Sequence, residues 1–94
     1  MSSRVIAVDL GATSGRVIEG FVGPKRLEHS VAHRFPNGPV KDGVALRWNV
    51  TGLFREVLRG LRVVGSSNEP ILSVGVDSWA VDYGLLKDGV LLEE

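Results

Sequence analysis

The segment Arg4-Val5-Ile6-Ala7-Val8-Asp9-Leu10-Gly11-Ala12-Thr13-Ser14-Gly15-Arg16-Val17-Ile18 constrains the fold more than any other. A β-branched run ends in an acid, breaks at two glycines and small hydroxyl residues, and resumes at once as a second run. Too short for a crossover, the break predicts a β-hairpin of residues 4–9 and 16–22. Near-continuous apolarity in the first run predicts a strand buried on both faces. Gly23-Pro24-Lys25 is a second turn. Leu27, His29, Val31, His33 and Phe35 then alternate with polar or small residues, predicting a third antiparallel strand with both histidines on one face.

Beyond Pro36 the chain is irregular, with a tight turn at Lys41-Asp42-Gly43 and a short extended piece over 44–48. Leu53, Phe54, Val57, Leu58, Leu61 and Val64 recur at helical spacing, with Thr51 as the predicted N-cap and Gly65 as a left-handed C-terminal cap. Residues 71–76 read as another buried strand ending in an acid, Asp77. Tyr83–Leu86 and Val90–Leu92 form a last hairpin about Lys87-Asp88-Gly89. The predicted class is α/β with a mixed sheet, in the order strand, strand, strand, helix, strand, hairpin.

Composition removes several functions. Eleven basic residues balance eleven acidic ones and form no stripe, which argues against nucleic acid as a partner. Without cysteine there is no disulfide framework and no thiolate zinc site. No run approaches the ~20 apolar residues of a membrane span, and no secretory leader is recognisable, so the expectation is a cytoplasmic chain without a membrane partner.

Chemistry concentrates in two places. At the first turn, glycines permit close main-chain approach to an anion, Thr13 and Ser14 add hydroxyls, and Arg16 adds a fixed positive charge. Asp9 would repel phosphate but suits magnesium held through water. The same residue types also serve in ordinary turns. Neither G-x-x-x-x-G-K-[ST] nor dinucleotide-fold glycine spacing is present. The second place is Asp77-Ser78-Trp79-Ala80-Val81-Asp82, just past a strand end. An aromatic face beside carboxylates suits a sugar, although Trp79 would serve equally as a core anchor and the acids as turn formers. His29 and His33 read as packed or partly exposed residues rather than ligands, Trp48 as a packing residue, Asn37 and Gly38 as turn formers, and Arg55, Arg59 and Arg62 as a solvated helix face.

Ala7 to Val17 resembles the first phosphate motif of the actin-like ATPase superfamily. It is most similar to FGGY carbohydrate kinases of the rhamnulokinase group, whose pattern is close to A-V-D-L-G-A-[ST]-S-G-R-V. Gly75 to Tyr83 is similar to that group's G-I-D-[ST]-W-G-V-D-[FY], except that Ala80 stands where the group has glycine. His33-Arg34-Phe35-Pro36-Asn37-Gly38 and Trp48 resemble its H-R-F-x-N-G…W segment. The resemblance runs from about residue 4 to residue 92.

It implies an N-terminal, ribonuclease-H-like half-domain spanning residues 1–94, part of the first actin-like domain of an ATP-dependent kinase phosphorylating L-rhamnulose at its 1-hydroxyl. Ala12, Thr13, Ser14, Gly15 and Arg16 would face the ATP phosphates, Asp9 would hold Mg2+ through water, and Trp79, Ala80 and Asp82 would face the sugar. The Asp acting as catalytic base is expected downstream, so the chain alone is expected to be inactive and to self-associate through an uncovered strand edge. A kinase for another ketose, xylulose or fuculose, and a non-catalytic module are the alternatives.

Overall fold

The first turn does what its glycines and hydroxyls predict: it returns the chain on itself, and the hairpin becomes the centre of a sheet. The computed structural model describes residues 3–92. Strands β1 (Ser3–Leu10), β2 (Ser14–Gly23) and β3 (Arg26–Pro36) are followed by the short β4 (Val40–Asp42) and β5 (Ala45–Arg47), helix α1 (Val50–Gly65), β6 (Ser73–Ser78), and β7 (Leu86–Lys87) with β8 (Val90–Leu91). The main sheet has the order β3-β2-β1-β6, with β6 parallel to β1 and the other pairings antiparallel. β4–β5 and β7–β8 are separate two-stranded ribbons. The β7–β8 turn has positive φ at both Asp88 (53°) and Gly89 (80°), the conformation an Asp-Gly hairpin favours. No helix among the described residues is long and apolar enough to cross a membrane.

Helix α1 covers β2 and β3 on one face of the sheet. Ile6, Val8, Val17 and Val64 form the buried core, with Leu10, Ala32, Val57 and Leu61 packed around them. Full burial of each such valine or isoleucine contributes about 1.5–3 kcal/mol. The helix approaches closely because Gly60 sits directly over Val17, where a Cβ would overlap the valine side chain. Arg4 closes the other end of this interface. Its buried guanidinium donates to Glu19 (2.7 Å), to the Val64 carbonyl near the helix C-terminus (2.5 Å) and to the Glu69 carbonyl (2.7 Å). Near the start of the helix, His33 pairs with Glu56 at 2.7 Å. That bond, followed by the charge of Arg59 and opposed by partial burial, holds the Glu56 carboxyl below its ordinary value of 4.5.

Several expectations are corrected. β1 is buried on one face only, because the helix covers a single side; Ala7 is exposed while Ile6 and Val8 are buried. β6 begins at Ser73 and is exposed throughout, since α1 lies over β2 and β3 and no described strand pairs with its outer edge. The histidines lie on opposite faces. Val17 pairs with His33 while Ile18 pairs with Val31, so Ala32 is a bulged residue that reverses the alternation. Leu27, His29 and Val31 therefore occupy the uncovered face, and His33 and Phe35 turn toward the helix. The N-cap is Asn49, whose Oδ1 accepts from the Gly52 amide at 3.0 Å; Thr51 lies inside the first turn. Gly65 is helical rather than left-handed, because side chains do the capping. The Ser66 hydroxyl donates to the Val63 carbonyl (2.7 Å), and Arg4 takes that of Val64. The strand expected at residues 83–86 shortens to the β7 pairing, with the Leu92 amide also donating to the Leu85 carbonyl at 2.9 Å.

The close helix approach at residue 60 yields a direct test. Gly60→Ala gains helix propensity of up to about 1 kcal/mol yet overpacks Val17, so a net loss of about 1–2 kcal/mol is expected in urea unfolding. An unchanged or raised midpoint would show that the helix can lift at no cost.

Candidate functional site

β1 and β6 run parallel and in register, so the acids at their C-terminal ends, Asp9 and Asp77, are neighbours on the sheet face away from α1. The antiparallel partner of Asp9 across the hairpin is Arg16, so the cation lies on the same face. Arg16 approaches Asp9 at 3.5 Å, and its Nη2 donates to the Ser14 hydroxyl at 3.0 Å. Its Nε is buried with no hydrogen-bond partner among the described residues. A hydrogen bond with Asp9, then partial burial and the Asp9 charge, raise the Asp77 carboxyl above its ordinary 3.8. A Leu10 main-chain hydrogen bond and the charge of Arg16 oppose the rise. The sequence shows two strand-ending acids, but only the parallel pairing makes them a pair.

The turn between β1 and β2 is held from inside. Gly11 N–H donates to the Ser14 carbonyl (3.0 Å), Asn37 N–H to that of Thr13 (3.1 Å), and Asn37 Nδ2 to that of Gly11 (2.9 Å). Ala12 and Thr13 are exposed. Gly15 is buried against the Phe35 ring, where a Cβ would overlap the aromatic carbons, so its lack of a side chain serves packing on the helix side. Asn37, expected only to form a turn, is the residue that binds the end of β3 to the β1–β2 turn.

The second segment leaves β6 at Trp79, whose N–H donates to the Leu10 carbonyl at 3.1 Å. Its ring meets that of Trp48 at 4.5 Å between centroids, tilted by 42°. Both line an open cleft of about 920 Å³ together with Leu46, Arg47, Asp82 and Tyr83. Asp82 Oδ1 accepts from the Tyr83 N–H at 2.8 Å. Trp79 and Asp82 thus share one cleft, whereas Ala80 is exposed and does not line it. Between them Val81 adopts φ 63°, a strained conformation for a β-branched residue. Trp48 and Tyr83 are the cleft residues that sequence reasoning missed. Both had a signal, Trp48 as the last residue of the H-R-F-x-N-G…W pattern and Tyr83 at the final [FY] of the second motif.

Among the described residues no three His, Asp or Glu side chains converge. Asp9 and Asp77 offer two hard-oxygen donors beside an arginine. That set fits magnesium, a cation that keeps most of its waters, and not a fully protein-ligated ion.

The chain is similar to curated rhamnulokinases from end to end. It is 42% identical to that of Bacteroides thetaiotaomicron over 95 residues, covering 100% of this chain and 20% of the relative. With that of Ligilactobacillus salivarius the identity is 40% over 90 residues (95% and 19%), and with that of Bacillus subtilis 40% over 83 residues (87% and 17%). The resemblance to the N-terminal part of rhamnulokinase, first visible in two motifs, therefore extends over the whole chain. The chain spans about a fifth of the length of these relatives. No protein-family model matches it.

The carboxyl pair gives a pH-dependent expectation. A carboxyl whose folded value is raised costs stability once ionised, so Asp77→Asn should be more stable than the parent at neutral pH. The advantage should vanish as pH falls below the ordinary 3.8. Urea unfolding from about pH 3 to about pH 7 reads the effect; a variant less stable than the parent at neutral pH would mean that Asp77 is held chiefly by Arg16.

Proposed function

We propose that this chain supplies the phosphate-binding hairpin and part of the sugar wall of an ATP-dependent carbohydrate kinase of the rhamnulokinase type, acting in the cytoplasm on the 1-hydroxyl of L-rhamnulose. The observation that carries the reading is the cluster of Asp9, Asp77 and Arg16 beside the Gly11–Ser14 turn. The rhamnulokinase relatives support it. The β3-β2-β1-β6 order with a parallel β1–β6 pair supports a ribonuclease-H-like half-domain, the N-terminal part of the first actin-like domain of such a kinase.

In this reading the exposed turn at Ala12 and Thr13, with Ser14, the main chain of Gly15 and the charge of Arg16, receives the ATP phosphates. Asp9, with Asp77 alongside, would hold Mg2+ through its waters; when bound, the ion neutralises phosphate charge during transfer. Trp79 offers an apolar face to the ketose and Asp82 keeps its second oxygen for a sugar hydroxyl, while Ala80, at the position where the group has glycine, lies between them outside the cleft lining. The sugar oxygen forms a bond to the γ-phosphorus as the bond to the bridging oxygen of ADP breaks. The proton leaving the sugar hydroxyl goes to an Asp outside these 94 residues, and none of Asp9, Asp77 or Asp82 takes that role. Ala80 in place of glycine favours keeping another ketose, xylulose or fuculose, as a second reading of the substrate.

Titration of the isotopically labelled chain with MgATP tests the proposal by NMR. Shifts confined to residues around 11–16 are expected, weakened about tenfold or more in Arg16→Ala, a charge-assisted contact being worth roughly 1.5–3 kcal/mol. The same samples with L-rhamnulose should release no ADP above a no-protein control. Shifts elsewhere, or none, would favour the non-catalytic module, and ADP release would place the base within this chain.

Leu72, Val74 and Val76 are exposed on and beside β6. An unpaired edge flanked by apolar side chains invites pairing with a second copy. Light scattering of the isolated chain is therefore expected to give a mass above that of the 10.1 kDa monomer, increasing with concentration; a monomer at every concentration would refute it.

A further inference from the structure

A turn that receives phosphate must aim its amides outward, and each peptide unit then directs its carbonyl the other way. Three carbonyls at the β1–β2 turn, those of Gly11, Thr13 and Ser14, are occupied. That of Ser14 accepts from Gly11 N–H, that of Thr13 from Asn37 N–H and that of Gly11 from Asn37 Nδ2, at 3.0, 3.1 and 2.9 Å. No described hydrogen bond uses the amides of Ala12 or Thr13. Two of the three inward bonds come from a single residue 26 positions away, at the end of β3. Asn37 is half-buried, its amide nitrogen donates, and the hydrogen bond between its main chain and the turn fixes where that side chain starts.

We propose that Asn37 is a positioning residue for the phosphate-facing turn: its side chain fixes the Gly11 carbonyl inward, so that the Ala12 amide of the same peptide unit stays presented to an anion, and its main chain anchors Thr13 beside it. The inference rests on the phosphate reading of the turn and extends it to a residue that need not touch nucleotide. It also accounts for the segment 33–38 accompanying the phosphate motif in this sequence: β3 delivers Asn37 to the turn.

Two substitutions separate positioning from general stability. Asn37→Asp is nearly isosteric and retains the main-chain bond, but its ionised carboxylate cannot donate to the Gly11 carbonyl. Asn37→Ala removes the side-chain bond without adding charge. In both, amide hydrogen exchange at Gly11 and at position 37, whose N–H groups bond the Ser14 and Thr13 carbonyls, should accelerate about tenfold or more, while exchange in α1 and β1 stays within twofold of the parent. The midpoint of the MgATP titration should rise about fivefold to tenfold in Asn37→Ala, the loss of one hydrogen bond of ~1 kcal/mol, and further in Asn37→Asp through repulsion of phosphate. Exchange and titration both unchanged would overturn the proposal, as would acceleration spread equally over α1 and β1. The exchange arm requires no ligand: if the parent shows no MgATP shifts, the phosphate reading fails, and turn exchange alone still decides whether Asn37 holds the turn.

Discussion

The buried guanidinium of Arg4 is the interaction on which the arrangement of the other elements depends. A charge removed from water must be met by partners on nearly all sides, and breaking such a set costs about 3–5 kcal/mol. Here the partners come from four places: Glu19 on β2, the Val64 carbonyl at the end of α1, the Glu69 carbonyl in the following loop, and the sheet in which Arg4 itself sits. The Arg4 carbonyl also accepts from the Leu72 amide at 2.8 Å, just before β6 starts. One residue therefore fixes where the helix ends and where the next strand begins. The register of β6 against β1 follows from that starting point, and with it the juxtaposition of Asp77 and Asp9.

The two candidate regions meet through short tethers to β1. Trp79 hangs from the Leu10 carbonyl, one residue beyond Asp9, so the aromatic cleft starts where the carboxyl pair ends. Trp48, just ahead of the Asn49 cap, brings the start of the helix to the same wall. The β1–β2 turn and the Trp48–Trp79 wall are thus adjacent by construction. Phosphoryl transfer depends mainly on positioning and charge neutralisation, and in the proposed function such adjacency is what the scaffold would contribute.

Most of the element order was legible in the sequence because glycine, proline and Asp-Gly turns punctuate it unambiguously. The first hairpin, the helix and the Asp88-Gly89 turn follow local chemistry, and the structure has them. What local chemistry could not supply was pairing. The bulge at Ala32 leaves no compositional mark, so an alternating pattern from Leu27 to Phe35 read as one face when it is two. Helix caps were misplaced for a related reason. Asn49 and Thr51 are both good N-caps, and Gly65 a good C-cap, until a distant arginine and a serine hydroxyl satisfy the end of the helix instead. In the candidate site, Asp9, Arg16, Trp79 and Asp82 were named from sequence, while Asp77 as a partner, Trp48 as a wall and Asn37 as a tether required the third dimension.

The bulge at Ala32 makes chain length itself a carrier of information. Everything β3 contributes beyond that point lies downstream of a single supernumerary residue: the His33 bond to Glu56, the Phe35 ring over Gly15 and the Asn37 bonds to the turn. Deleting Ala32 itself would return β3 to plain alternation with the same faces, whereas a residue added or removed between His33 and Asn37 would leave the side chains beyond it chemically intact and send them to the opposite side of the sheet. Substitutions in this stretch alter one contact at a time, but insertions and deletions beyond the bulge alter several together. The spacing between His33 and Asn37 is therefore more tightly bound to the β1–β2 turn than the identity of most residues within it.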